Sequence, residues 1–325
     1  MKAIAQDRYG DASVLVLQDI EPPKPADGEV LVRVKAAGVD PGVWHLMTGV
    51  PYLMRVIGFG FRRPKVPVRG LALAGVVETT GKGASRFRPG DEVFGTCRSG
   101  SFAEYTIARQ DRLAVKPPDL TFEQAAALPV SAITALQAVR DRARVKAGQR
   151  VLITGAGGGI GTFAVQLAKA RGAHVTAVCG PAKADLVRSI GADEVIDYTR
   201  KEIDAGGARY DVIIDTAGSR PLALLRRALA PRGTLVLAGG DRYDRPVVTG
   251  MSRQSRAALL SLFTSQRLRS LIARENATDL ETLAQLAESG AIKPVIDKTY
   301  PLADAAEAIR QIAGGHATGK GVVVI

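Results

Sequence analysis

The chain has 325 residues, 46% of them hydrophobic and 23% charged, a composition that suits a globular fold of two domains. Its net charge of +12 raises a nucleic-acid reading, but the 31 arginines and 13 lysines are scattered without an aromatic-rich basic motif. Nucleic acid is therefore not an expected partner, whereas anionic small ligands stay favoured. Two cysteines, Cys97 and Cys179, are too few for a disulfide framework; without a signal-peptide core or a long apolar run, the expected address is cytoplasmic, away from membranes.

In chain order, the first 120 or so residues read as short strands: Val30-Leu31-Val32-Arg33-Val34, Ala74-Gly75-Val76-Val77-Glu78 and Phe102-Ala103-Glu104-Tyr105-Thr106. Turn residues separate them (Asp27-Gly28, Gly81-Lys82-Gly83, Pro89-Gly90-Asp91), and this spacing predicts a barrel-like β domain. Leu120-Thr121-Phe122-Glu123 reads as a helix start with Thr121 as N-cap. The rhythm then changes. Strands over 150–154, 174–179, 194–198, 210–215 and 233–238 alternate with helices over 160–171, 182–190, 220–230 and 252–273, which predicts a parallel doubly wound sheet. Short mixed elements resume over 294–297, 303–313 and 321–325. The expected division is 1–122 for the β domain, 123–290 for an inserted nucleotide-binding domain and 291–325 for a return to the first, with a cleft between the two.

Residues 150–164, RVLITGAGGGIGTFA, carry the most chemistry. A β-branched apolar run meets a turn holding Gly155, Gly157, Gly158, Gly159 and Gly161, and a helical pattern follows. Strand, glycine turn and helix bring peptide N–H groups and a helix N-terminus against a pyrophosphate. Residues without a Cβ permit that approach, or a positive φ. The spacing is A-x-G-x-x-G rather than G-x-G-x-x-G, so the alternating context, more than the turn alone, supports a dinucleotide.

Several segments resemble the medium-chain dehydrogenase/reductase superfamily, within it the zinc-independent quinone-oxidoreductase-like (zeta-crystallin-type) branch. They are AAGVDP at 36–41, RFRPGDEVFG at 86–95, GSFAEY at 100–105, residues 126–139, the glycine turn, VRSIGADEVIDY at 187–198, YDVIIDTAG at 210–218 and GHATGKGVVVI at 315–325. They occur in order over essentially the whole chain. The resemblance implies an α/β architecture: a GroES-like β-barrel catalytic domain with an inserted Rossmann domain. Zinc-dependent members carry a Cys and a Gly-His-Glu, where this chain has Asp40-Pro41-Gly42 and Gly70-Leu71-Ala72. His45, His174 and His316 lie in unrelated segments, and zinc needs three or four ligands, so no metal is expected.

The second parallel strand ends Val178-Cys179-Gly180-Pro181, without the acid that would hold a ribose 2′-OH, and Lys183 follows. The resemblance places a Lys and a Tyr on a 2′-phosphate, matching Lys183 and Tyr198, which implies NADPH; read alone, they are a solvated helix residue and a half-buried aromatic. The other expected cofactor contacts are Ala156, Gly157, Gly158, Gly159, Ile160 and Gly161 of the turn, with Cys179, Ala217 and Gly239 at strand ends. His316, Ala317 and Thr318 join them, although Gly314-Gly315-His316 also reads as a plain helix stop.

Among candidate catalytic residues, Asp40 matches an Asn beside the nicotinamide and Thr134 a Thr that touches the ring; Asp40 reads equally as a turn residue before Pro41-Gly42. Residues 44–63, rich in aromatics and Met, read as a pocket lining for a flat hydrophobic substrate or as packing on the barrel, with Tyr52 the proton-donor candidate by chemical type. Residues 259–263 read as a second pocket wall or as helix core. The expected activity is NADPH-dependent, metal-free hydride transfer to a quinone or α,β-unsaturated carbonyl, a small hydrophobic partner. A metal-free alcohol/carbonyl oxidoreductase, an enoyl-thioester reductase and a catalytically silent NADPH-binding protein stay open, as does a homodimer.

Overall fold

The computed structural model describes residues 1–53, 55–239, 252–315 and 317–325. Its first sheet is built around the strand Glu29–Val39, which pairs antiparallel with Ala72–Thr80, Tyr105–Arg109 and Lys320–Val324. Glu92–Thr96 and Leu113–Val115 extend the sheet on one side and Ile296–Pro301 closes the other. Alternation along Glu29–Val39 buries Val30, Val32 and Val34 against Leu73, Phe87, Val93, Phe102 and Leu113. Residues near the end of the sequence thus complete the sheet that Glu29–Val39 begins.

The second sheet has six strands, all parallel, in the spatial order Glu194–Asp197, His174–Cys179, Arg150–Thr154, Tyr210–Asp215, Leu229–Leu237, Arg267–Ser270. In chain order this is third, second, first, fourth, fifth, sixth, the doubly wound arrangement with its switch between the first and fourth strands. Both faces are covered. Val151 and Ile153 enter one core with Phe163 and Val175, while Leu152 enters another with Ile213, Leu225 and Leu235. Burial on both sides explains why the first strand reads as an unbroken apolar run.

The link between the units starts as expected: Thr121 caps the helix Phe122–Ala126 by accepting from the Gln124 N–H, and the Gln124 side chain accepts from the Thr121 N–H. The helix Ser131–Gln137 follows, buried along its whole length. One expectation is corrected. The helix expected over 252–273 ends at Ser261, and Arg267–Ser270 is the sixth strand; its pattern R-L-R-S has the period of two, with Leu268 as its buried residue. The helix Ala277–Glu288, capped by Asn276, was not foreseen. Among the described residues no helix is long and apolar enough to cross a membrane.

Candidate active site

The carboxyl ends of the parallel strands meet at the switch point, where Thr154 lies beside Val178 on one side and Asp215 on the other. The glycine turn occupies this corner. Its positive φ, 65°, falls on Gly155. A Cβ on Gly161 would lie 2.1 Å from the Gly155 carbonyl oxygen and 2.7 Å from Ala156 Cα, so Gly161 lets the helix Gly159–Ala170 start directly against the strand end. Gly158 differs: its φ is −94°, and a Cβ there would meet only the Gly155 oxygen, at 3.4 Å. The space in front of Gly158 is open. Helix geometry leaves the N–H groups of Gly159, Ile160 and Gly161 without intrahelical acceptors, and they carry the positive end of the helix dipole. An open cradle before a helix N-terminus fits a dinucleotide diphosphate.

Not every expected cofactor residue is equipped for direct contact. The Ala156 N–H donates to the Val178 carbonyl (3.1 Å), and its side chain is buried. The Gly157 carbonyl accepts from the Gly319 N–H (2.9 Å), and Gly158 and Gly319 form a parallel bridge. The Gly239 N–H donates to the Asp215 carbonyl at 3.0 Å, and a Cβ there would meet the Thr216 oxygen at 2.3 Å. Ala217 is exposed on the rim, and its N lies 3.1 Å from where a Cβ on Gly155 would be.

Cys179, Gly180, Lys183 and Tyr198 gather at the end of the second strand. The Tyr198 N–H donates to the Cys179 carbonyl (3.3 Å), and its hydroxyl lies 3.3 Å from a Cβ position on Gly180. Lys183 lays its stem over Gly157, and its Nζ donates to the Ala317 carbonyl at 2.7 Å. Burial pulls the Lys183 ammonium down, while Asp297 and Cys179 act against the shift. Burial also pushes the Cys179 thiol up, keeping it neutral. Asp297 accepts from the Thr318 N–H (3.1 Å), so residues 317–319 are held from both sides. His316 lies outside the described residues.

The opposite wall is made of side chains. Asp40, at the start of the helix Pro41–Thr48, is 1% exposed. Its Oδ1 accepts from Lys320 Nζ in a buried ion pair and from Ser131 Oγ at 3.2 Å. Lys320 Nζ also donates to the Val39 carbonyl (3.0 Å) and Ser131 Oγ (3.2 Å). The carboxylate therefore faces Lys320 and Ser131 and makes no cap hydrogen bond to the helix it precedes. Thr134, 8% exposed, donates its hydroxyl to the Val130 carbonyl (2.7 Å) and keeps acceptor capacity. Tyr52 stands apart from these contacts. It is 46% exposed, with the Arg55 guanidinium 4.8 Å from its ring centroid. Among the described residues, no hydrogen bond engages its hydroxyl.

Sequence reasoning missed Lys320 and Ser131. A lysine opening the apolar run K-G-V-V-V-I is the available signal, since a charge in a buried strand needs a partner. Asp215 was also missed: fully buried, it accepts from Thr154 Oγ1 (2.5 Å) and from Arg253 Nη2 (2.7 Å).

The chain is similar to known proteins over essentially its whole length. Residues 26–119 match the alcohol dehydrogenase GroES-like domain and residues 190–323 match the family described as zinc-binding dehydrogenase. The chain is 33% identical to the chloroplastic quinone-oxidoreductase homolog of Spinacia oleracea over 99% of its own length and 98% of the relative's. The solved quinone oxidoreductase of Coxiella burnetii superposes with a TM-score of 0.84 at 26% identity, over 100% of this chain and 99% of that one. The Escherichia coli quinone oxidoreductase, solved in complex with NADPH, superposes with a TM-score of 0.83 at 25% identity over 100% of both chains. From the fold, the glycine turn and these similarities together, the chain belongs to the quinone-oxidoreductase-like branch of the medium-chain dehydrogenase/reductase superfamily and is an oxidoreductase that works with a nicotinamide cofactor.

Proposed function

We propose that the protein is an NADPH-dependent oxidoreductase that passes hydride, without a metal ion, to a quinone or an α,β-unsaturated carbonyl. One observation carries the cofactor choice: the end of the strand His174–Cys179 carries no carboxylate but brings Lys183 and Tyr198 to one corner. Asp197, in register with Cys179, accepts through Oδ1 from the Thr199 N–H (2.9 Å) and hydroxyl (2.8 Å). A phosphate draws Lys183 away from the neutral Ala317 carbonyl, because charge-assisted hydrogen bonds are roughly twice as strong as neutral ones.

A bound reduced nicotinamide supplies the hydride. The chain's share is to hold both reactants, and orientation alone supplies roughly 7–11 kcal/mol of a barrier. The diphosphate is held by the helix N-terminus at Gly159, and the Thr134 wall limits where the ring can lie. Val56, Phe59 and Phe61 in one unit, and Leu259, Leu262 and Phe263 in the other, stay exposed instead of joining a core, which supports a hydrophobic acceptor. Asp40 is engaged by Lys320, which supports a reaction whose proton comes from solvent over reduction of an unactivated carbonyl. The metal-free reading is supported by Lys320, whose ammonium beside Asp40 opposes a second cation there, and by Ala72, which has no ligating side chain.

The test is calorimetric and kinetic. Native protein binds NADPH more tightly than NADH, and Lys183→Ala weakens NADPH by roughly 10- to 100-fold, the equivalent of about 1.5–3 kcal/mol for a bond to a charged group. Equal losses for both cofactors refute the choice. NADPH oxidation is then followed against 1,4-quinones, alkenals, enoyl thioesters and simple aldehydes. Turnover of aldehydes alone, of none of the panel, or reversible loss of activity on zinc chelation each contradicts the proposal.

A further inference from the structure

The buried ion pair lies against the cofactor turn. A Cβ placed on Gly159, the first residue of the diphosphate-facing helix, would be 3.0 Å from Lys320 Cδ and 3.2 Å from Ser131 Oγ. Lys320 and Asp40 have side chains 2% and 0% exposed, so water does little to screen either charge. Among the described residues, Asp40 Oδ2 is buried with no hydrogen-bond partner; Oδ1 has Ser131 and Lys320, and the cation of the cluster is Lys320.

We propose that Lys320 is a positioning residue of the cofactor site, whose charge cancels that of Asp40 and so keeps the helix N-terminus attractive to a dinucleotide diphosphate. The proposal rests on reading the glycine turn as the dinucleotide site. A helix N-terminus offers about half a positive charge. An uncompensated carboxylate two side chains away opposes it and repels the incoming phosphates, while the neutral pair leaves it intact. The two residues therefore act in opposite senses on the same ligand. Losing the lysine exposes the phosphates to Asp40, whereas losing the carboxylate exposes them to Lys320. Removing both restores neutrality.

Titration calorimetry with NADPH and NADP⁺, paired with thermal unfolding, tests this on four full-length chains: native, Lys320→Met, Asp40→Asn and the double variant. The expected result is binding at least tenfold weaker in Lys320→Met, severalfold tighter in Asp40→Asn, and within about threefold of native in the double variant. A purely structural role lowers the unfolding temperature of both single variants and gives no opposite signs and no rescue. Weaker binding in Asp40→Asn, or a double variant no better than Lys320→Met, overturns the inference. If Lys320→Met does not fold, Asp40→Asn and the double variant decide it by the same criteria. Native protein that binds neither NADPH nor NADH refutes the dinucleotide site itself, and the inference with it. Native binding without the opposite signs refutes the inference alone.

Discussion

The two walls of the candidate cofactor site are built from different materials. The glycine turn works through backbone: Gly155 takes the positive φ, Gly161 admits the helix, and Gly158 leaves space open. The facing wall works through side chains from three distant segments, Asp40, Ser131 and Lys320, joined by hydrogen bonds. A backbone site depends on what is missing, namely Cβ atoms, and fails when something is added. A side-chain site fails when something is removed.

Adding a side chain to the turn breaks it in two distinguishable ways. Gly161→Val forces a branched Cβ into backbone at 2.1 Å, and soluble folded protein is expected to be lost. Gly158→Val has an ordinary φ and an open Cβ position, so the fold survives with its unfolding temperature nearly unchanged while NADPH affinity falls at least 100-fold. If both variants behave alike in thermal unfolding and calorimetry, the distinction between a packing glycine and a ligand-facing glycine is wrong.

Removal on the side-chain wall is tested at its support. The helix Ser131–Gln137, which carries Ser131 and Thr134, is tied by Gln137 Nε2 to Asp279 (2.7 Å), which also holds Arg140 (2.7 Å) and Asn276 (3.0 Å). Asp279→Ala is expected to cost roughly 1.5–3 kcal/mol in urea unfolding at pH 7, since it removes a buried carboxylate that accepts from Gln137, Arg140 and Asn276. Burial pushes the Asp279 carboxyl up, but Arg140, Gln137 and Asn276 outweigh it and hold the group below the usual carboxylate range. Its contribution is thus complete above about pH 4 and is lost as pH falls through the depressed folded value, so the deficit of the variant shrinks in acid. A deficit that grows on acidification contradicts this. The smallest effect belongs to Tyr52→Phe, which removes one exposed hydroxyl and is expected to change turnover less than about twofold; a tenfold loss would restore Tyr52 as a proton donor.

The difference between the walls also decided what could be read in advance. Val151-Leu152-Ile153 and the glycines encode their structure within a dozen positions, and the Thr121/Gln124 cap within four. Arg267–Ser270 does not announce itself as a strand, because four residues with one buried leucine carry too little periodicity. Asp40 and Lys320 are 280 positions apart, and no local pattern joins them. Asp40 is legible as a candidate from the resemblance, but its ion-pair partner is not. Lys183 and Tyr198 were paired from the resemblance, and the tie from Lys183 to Ala317 comes from a chain crossing that no spacing reveals.

The place of Lys320–Val324 in the first sheet has a consequence for how the protein is made. Residues 36–39 of the strand Glu29–Val39 pair with it, and Val39 and Lys320 are separated by 281 positions. At about 5–20 residues per second, a ribosome takes roughly 15–55 s to supply the missing neighbour. Throughout that interval the nascent chain presents an unpaired stretch ending at Asp40, whose carboxylate has yet to meet its lysine. An unpaired edge is a template for strands of other chains, so this stretch is where the growing polypeptide most needs shelter.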